Sequence, residues 1–290
     1  MLTVLAPAKL NLTLEVLAKR QDGFHEIRSV IQTINLCDSL YFQLSPNIEF
    51  ECDVSHWIPE KSLVSKATSL LQEATGCPKG VTIEIKKRIP LMSGLGGDSS
   101  DAAATLHGLS QLWELGLSKD ELLNLASQLG SDVAYFLYGG TALVEGRGEK
   151  VTPLPLLPHR WVILMMPLVP TTDGKTERLY SSLKASHYTS GQITNRLVAR
   201  LTGGKGVTPP MLFNVFNVFN VFDVVAVDNF TGLKEYRQQF LKAGAKEVHL
   251  AGSGPTLFAL VKDRSQAEEV HLHLQQQGLE SYLTETLAGI

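Results

Sequence analysis

The pattern of apolar and polar positions near the start of the chain predicts a half-buried strand. Within KLNLTLEV, residues 9–16, apolar side chains occupy every second position from Leu10 to Val16. A period of two is the strand pattern, and it places Lys9 and Asn11 together on the opposite face.

Helical spacing appears in two further segments of the first half. Apolar residues recur every three or four positions from Leu63, and Gly76 follows as a C-terminal cap. The second helix starts with a capping box, Ser118 with Glu121, and ends at Gly130. Between them, the glycine-rich stretch PLMSGLGGDSS leads into a third predicted helix that runs to about residue 113.

The rest of the chain mixes strands and helices without a regular alternation. A hairpin is predicted around Gly146-Arg147-Gly148, and three prolines at 153–158 mark a boundary. We therefore predict two domains, residues 1–155 and 156–290. The mixture favours the α+β class over a doubly wound sheet.

One segment follows neither period. Phe213–Val225, FNVFNVFNVFDVV, repeats every three residues. On a helix its asparagines would form one polar stripe among phenylalanines and valines, so we predict a mostly buried helix. An expanded repeat without a specific role stays open as the alternative.

Composition excludes several functions. The 290 residues carry a net charge of −3 and are 44% hydrophobic. There is no basic excess for nucleic-acid binding and no run of about 18 apolar residues for a membrane span. The first residues lack a signal-peptide pattern, so we expect a cytoplasmic protein. Cys37, Cys52 and Cys77 are odd in number and widely spaced, which favours reduced thiols.

The glycine-rich stretch fits no familiar nucleotide motif. No lysine follows Gly96 or Gly97, as a Walker loop requires, and Ser99 stands where a dinucleotide fingerprint has its last glycine. Glycine amides followed by a helix N-terminus nevertheless favour an anion. An ordinary turn with a serine cap is the alternative. We predict a phosphate loop that comprises Pro90, Leu91, Met92, Ser93, Gly94, Leu95, Gly96, Gly97, Asp98, Ser99 and Ser100.

A phosphate loop without its own lysine needs charge and a base from elsewhere. Lys9 can supply the charge, with Asn11 beside it to fix a hydroxyl. Asp132 opens a short helical segment, LGSDVAYFLYGG, where a plain N-cap is the alternative.

Four segments in order, PAKLNLTLEV with DGFH, PLMSGLGGDSSDAAATL, LGSDVAYFLYGG and LAGSGPTLFAL, resemble the GHMP kinase superfamily. The resemblance is close over the first ~150 residues and looser beyond. It implies an N-terminal ribosomal-protein-S5-like α/β domain, a C-terminal ferredoxin-like α+β domain and an active site in the cleft between them. It also implies an enzyme that uses ATP and Mg²⁺.

Within that superfamily, the K-x-N strand and the DG-[YF]-H motif resemble kinases that phosphorylate the 2-hydroxyl of a cytidine-diphosphate derivative of methylerythritol, in the non-mevalonate isoprenoid pathway. The resemblance implies a catalytic pair and a cytosine pocket, and it places Gly252 and Gly254 in a turn at the active-site rim. The implied catalytic residues are Lys9 and Asp132, and the implied substrate-binding residues are Asn11, Phe24, His25 and Tyr180.

Two residues depart from the family pattern. Asp98 stands where a small residue is expected, and Ser62 replaces an asparagine expected to help hold the nucleotide. Two alternatives stay open: another small-molecule GHMP kinase, mevalonate- or homoserine-kinase-like, or a non-catalytic nucleotide-binding homologue. A small-molecule substrate is the expected partner, and the chain is expected to be a monomer or weak homodimer.

Overall fold

The computed structural model describes residues 1–172, 174–203 and 218–288. These form two compact units, neither of them continuous in sequence. The first unit contains Met1–Ala8, Leu36–Leu91 and Gly96–Gly139, and the second contains Lys9–Asn35, Met92–Leu95 and the described residues from Gly140 onward. The units group residues by contact, so the sequence boundary at 155 stays a prediction.

Two long strands run through both units. They are β1, Leu2–Lys19, and β2, His25–Ser45, and they are neighbours in one sheet. The polar residues Lys9 and Asn11 lie on β1, as predicted, but the prediction of a half-buried strand is wrong, because residues 6–16 are buried on both faces.

The first unit adds two strands to the end of β2 and packs helices beside them. Strand β4, Gly80–Lys86, pairs antiparallel with β2 and parallel with β3, Ile48–Cys52. The helices are α1, Leu63–Thr75, α2, Gly97–Leu112, α3, Lys119–Leu129, and α4, Val133–Phe136, with a 3-10 turn at Pro59–Lys61. Helix α2 approaches β2 closely because residue 108 is glycine: a Cβ there would lie 2.7 Å from the Phe42 ring.

Local sequence signals account for the ends of these helices. The Ser118–Glu121 capping box begins α3, and Gly76 ends α1 in the left-handed conformation, with φ of 66°. Both are the predicted positions, because the two signals depend on neighbouring residues alone.

The second unit contains the predicted hairpin and a sheet of its own. The hairpin is β5, Thr141–Gly146, with β6, Lys150–Pro153, and β5 pairs with the first part of β2. Among the described residues, an antiparallel sheet has the order β11-β7-β10-β9. These strands are β7, Trp161–Met165, β9, His249–Leu250, β10, Leu257–Val261, and β11, Ser281–Glu285.

The remaining elements of the second unit surround that sheet's core. They are α5, Lys175–Ser182, a 3-10 turn at Ala185–His187, α6, Gln192–Leu201, β8, Phe219–Asn220, α7, Asp223–Asn229, α8, Leu233–Lys242, and α9, Arg264–Gln276. Helix α9 packs on β7 and β11. The core of this unit includes the fully buried Phe230, Phe240, Leu250 and Leu257. No helix among the described residues is long and apolar enough to cross a membrane.

The prediction of one helix across the FNV repeat is wrong for its described end. Phe219–Asn220 is a strand parallel to β1, and the helix begins only at Asp223. The reason is tertiary: pairing with β1 satisfies the backbone, and the Asn220 amide is used inside the protein. The part of the prediction at 213–217 lies outside the described residues.

Candidate active site

Lys9 and Asn11 form the polar centre of the second unit. Both are buried, with 5% and 4% exposure. The Lys9 ammonium donates to Asn11 Oδ1 at 2.7 Å, and the Asn11 amide donates to Ser29 Oγ at 2.8 Å. Ser29 in turn donates to the Thr13 carbonyl at 2.5 Å. This series of hydrogen bonds holds the Lys9 ammonium in one orientation. The contact between Lys9 and Asn11 confirms that the two side chains lie on the same face of β1.

Two glycine-containing segments lie directly against this pair. The Lys9 amide donates to the Leu95 carbonyl at 2.9 Å. A Cβ on Gly252 would lie 3.1 Å from Lys9 Nζ, 3.3 Å from Asn11 Oδ1 and 2.7 Å from the Gly94 carbonyl. Gly252 also has a positive φ of 52°, so a larger residue is excluded by both space and backbone conformation.

The turn at Gly252 depends on a residue that the repeat concealed. The buried Asn220 side chain donates to the Gly252 carbonyl at 2.7 Å and to the Leu250 carbonyl at 3.0 Å. Its Oδ1 accepts from the Phe222 amide at 3.0 Å. The third asparagine of the repeat is therefore fully engaged in holding the turn beside Lys9.

His25 and Tyr180 are stacked, with ring centroids 4.8 Å apart and planes at 16°. Tyr188 meets the His25 ring edge-on at 6.0 Å, and Phe222 meets Tyr180 edge-on at 4.9 Å. Burial, followed by the charge of Lys19, lowers the pKa of His25 below its usual value. The ring is therefore neutral at pH 7 and keeps one donor and one acceptor nitrogen.

Phe24 has a different environment from its neighbour. Its ring is 52% exposed, and the Arg147 guanidinium lies 4.8 Å from the ring centroid. A guanidinium over an aromatic face is a cation–π contact. Arg147, at the tip of the β5–β6 hairpin, was not among the sequence candidates, since a hairpin arginine carries no motif.

The predicted phosphate loop is a turn followed by the first turn of a helix. Gly94 and Gly96 have φ of 86° and 78°, and α2 begins at Gly97. Ser99 and Ser100 therefore lie on α2, where helix geometry leaves the amides as far as Ser99 without intrahelical acceptors, while the Ser100 amide donates to the Gly96 carbonyl at 2.9 Å. The buried Ser100 hydroxyl has no hydrogen-bond partner among the described residues. The arrangement is one that suits a phosphate group.

Asp98 and Ser62, the two departures from the family pattern, contact each other. Asp98 Oδ1 accepts from the Leu63 amide at 3.2 Å and from Ser62 Oγ at 3.5 Å. Ser62 caps α1 by accepting from the Val64 amide at 3.0 Å. Burial raises the pKa of the Asp98 carboxyl. The carboxylate thus belongs to the start of α1.

A buried ion triad lies behind the start of α2. Lys87 Nζ donates to Asp38 Oδ2 at 2.5 Å and to Asp101 Oδ2 at 2.7 Å. Asp38 Oδ1 also accepts from the Arg88 and Ile89 amides. Burial raises the pKa of Asp101 to about 8. The Lys87 charge lowers this pKa, and the neighbouring Asp38 charge raises it. Sequence patterns did not identify this triad, because its members lie far apart along the chain.

Asp132 lies in the first unit at the start of α4, where it is half-buried. Within the described residues its side chain makes no capping hydrogen bond to that helix. Asp132 thus occupies the N-cap position of α4 without that hydrogen bond. Its catalytic role stays a prediction.

Family models match two parts of the chain. The GHMP kinases N terminal domain matches residues 62–140, and the GHMP kinases C terminal domain matches residues 212–279. The chain belongs to the GHMP kinases, and it is an ATP-dependent small-molecule kinase of the α+β, two-domain fold that the sequence predicted.

Relatives that match along their full length show to which family of GHMP kinases the chain belongs. A 4-diphosphocytidyl-2-C-methyl-D-erythritol kinase of Dehalococcoides mccartyi (strain ATCC BAA-2266 / KCTC 15142 / 195) is 48% identical over 100% of both chains. One of Listeria monocytogenes serotype 4b (strain CLIP80459) is 38% identical over 93% of this chain and 90% of its own. The chain therefore belongs to the family of these kinases.

Solved structures agree with this assignment. A crystal structure of 4-(cytidine 5'-diphospho)-2C-methyl-D-erythritol kinase matches with a TM-score of 0.78 and 29% identity, over 98% of this chain and 99% of that one. A homoserine kinase from Cytophaga hutchinsonii matches with a TM-score of 0.72 over 99% and 94%, at 20% identity. The second likeness concerns the fold alone.

Proposed function

We propose that this kinase transfers the γ-phosphoryl group of ATP to the 2-hydroxyl of 4-diphosphocytidyl-2-C-methyl-D-erythritol, giving the 2-phosphate and ADP. The reaction belongs to the non-mevalonate route to isoprenoid precursors. Full-length likeness to kinases of that name carries the proposal. The stacked His25–Tyr180 pair supports it, since a cytosine ring requires a flat aromatic surface beside a hydrogen-bonding edge.

The proposed catalytic residues are Lys9 and Asp132. Phosphoryl transfer consists mostly of positioning and charge stabilisation. Lys9, oriented by Asn11 and Ser29, stabilises the charge that develops on the transferred group. Asp132 orients the substrate hydroxyl and accepts its proton as the bond to phosphorus forms. Asn11 holds the substrate.

The proposed cytosine site uses the aromatic residues of the second unit. The neutral His25 ring hydrogen-bonds to the edge of the cytosine ring. Tyr180, which is stacked on His25, packs on one face of the cytosine, and Phe24 packs on the other face. Arg147 over the Phe24 ring brings a positive charge towards the diphosphate of such a substrate.

The proposed ATP site is the loop from Pro90 to Ser100. Its glycine amides and the α2 N-terminus bind the phosphates. The buried Ser100 hydroxyl, which has no partner among the described residues, would supply one oxygen ligand to a Mg²⁺ ion bound with the ATP phosphates, and the other ligands stay unassigned. Bound with ATP, Mg²⁺ would neutralise phosphate charge. A cytoplasmic location, a monomer or weak homodimer and the domain boundary at 155 stay predictions.

A substrate panel tests the proposed function. ADP release from ATP is measured with 4-diphosphocytidyl-2-C-methyl-D-erythritol, with mevalonate and with homoserine. We expect release above background with the first alone. Release driven by mevalonate or homoserine would instead select another GHMP kinase activity. ATP binding without any substrate-dependent release would select a non-catalytic homologue.

A further inference from the structure

Lys175 is a buried ammonium group with no role in the mechanism above. It is the first residue of α5 and is 7% exposed. Its Nζ donates to the Met92 carbonyl at 2.7 Å and also to the Gly254 carbonyl. Met92 belongs to the phosphate loop, and Gly254 belongs to the turn beside Lys9. One side chain therefore joins the two glycine-containing segments.

The same two segments also contact each other directly. A Cβ on Gly94 would lie 2.3 Å from the Ala251 carbonyl oxygen and 2.8 Å from the Gly254 amide. The Thr256 amide donates to the Ser93 carbonyl at 3.3 Å. Backbones at this separation move together, so a change in the turn is transmitted to the phosphate loop.

Met92 gives the contact with Lys175 a specific effect. Its φ of 55° is left-handed, a conformation that costs free energy for any residue except glycine. A charged donor on its carbonyl offsets that cost and favours the left-handed conformer. Met92 is two residues before Gly94, so this conformer determines the direction in which the following amides point.

Stability alone gives a poor reason for a lysine at this position. Burial, and secondarily the charge of Lys9, lowers the pKa of Lys175 to about 8. The residue also begins a helix, where the dipole disfavours a cation. An apolar side chain would avoid both costs. A polyanion bound at the neighbouring loop would relieve the repulsion between the two ammonium groups.

We propose that Lys175 is a positioning residue for nucleotide phosphate, which orders the phosphate loop by holding the Met92 and Gly254 carbonyls together. The inference rests on the proposed function only in placing the ATP phosphates at this loop. It makes no use of the alcohol substrate.

Calorimetric binding of a non-hydrolysable ATP analogue with Mg²⁺ tests the proposal. We expect Lys175→Met to weaken analogue binding about tenfold, as expected for the loss of one charged hydrogen-bonding group. The KM for the cytidine-diphosphate substrate should stay within about twofold. Lys234→Met, at an exposed lysine of the same unit, is the matched control and should bind the analogue like the wild type.

A thermal melt accompanies each variant. If Lys175→Met melts below the assay temperature, the comparison is made with Lys175→Gln, which keeps N–H donors but removes the charge. A folded variant that binds the analogue as the wild type does would overturn the proposal, and so would one that loses both ligands equally. Failure of the proposed function is distinguishable, because it would appear as an inactive wild type whose ATP binding still depends on Lys175.

Discussion

The Asp98 carboxylate accepts a hydrogen bond from the Leu63 amide at 3.2 Å, across 35 residues of sequence. An acid in a phosphate loop would repel ATP if it faced the ligand. Here the carboxylate accepts hydrogen bonds at the first residue of α1 and from Ser62, the second residue that departs from the family pattern. The two residues that depart from the family pattern are therefore in contact with each other at the start of α1.

This geometry predicts the result of Asp98→Asn. The amide keeps the shape and one acceptor oxygen, so ATP KM should stay within about twofold while stability falls by about 1 kcal/mol. Steady-state kinetics and urea unfolding check both. ATP binding that tightens many-fold would contradict the assignment, because it would mean that the charge faces the phosphates.

Lys9→Met and Asp132→Asn test the proposed chemistry. We expect each to lower kcat by at least ~100-fold, because charge stabilisation or proton acceptance is lost in the transition state. Analogue binding to Asp132→Asn should stay within about twofold of the wild type. Turnover like that of the wild type in either variant would remove that residue from the mechanism.

Two substitutions at Tyr180 distinguish stacking on the cytosine ring from hydrogen bonding by the tyrosine hydroxyl. Tyr180→Leu should raise the KM for the cytidine-diphosphate substrate about tenfold, because the flat ring is lost. Tyr180→Phe keeps the ring and should stay near the wild type, with ATP KM unchanged in both. Equal effects of the two variants would contradict stacking, since only one of them lacks an aromatic ring.

The Lys87 triad predicts a large effect on stability. Lys87→Met leaves the buried Asp38 carboxylate without its counter-ion and removes the donor to Asp101, which should cost about 3–5 kcal/mol of unfolding free energy. The neighbouring Lys86→Met is the matched control, because that side chain is 48% exposed, and it should change stability by less than about 1 kcal/mol. Similar denaturation midpoints for the two variants would contradict a structural triad.

Lys175 also predicts a pH dependence of stability. Its folded pKa of about 8 lies below the ordinary value of 10.5, so between these values the unfolded chain binds more protons. Stability contributed at this position therefore rises with pH over that window. Relative to Lys175→Met, the wild type should gain about 2 kcal/mol between pH 7.5 and pH 10. A constant difference across that range in urea unfolding would contradict the lowered pKa.

Local signals in the sequence predicted more of the fold than of the site. The Ser118 capping box, the Gly76 cap and the hairpin at Gly146 depend on adjacent residues, and each was found where expected. The strand at Phe219 was missed, because pairing with β1 is a long-range contact that no local period reveals.

The candidate site shows the same limit. The contact between Lys9 and Asn11 follows from strand geometry, and the sequence predicted it. No sequence motif identified Lys175, since its partners Met92 and Gly254 lie about 80 residues away on either side. No local sequence pattern marks a lysine as buried, because its burial depends on contacts between segments far apart along the chain.

The most direct test of the proposed reaction follows the label from γ-³²P-ATP in the presence of 4-diphosphocytidyl-2-C-methyl-D-erythritol, with ³¹P NMR of the product. We expect one labelled phosphate monoester on the 2-hydroxyl for each ADP released. Label released as inorganic phosphate, label on another hydroxyl, or no substrate-dependent ADP would contradict it.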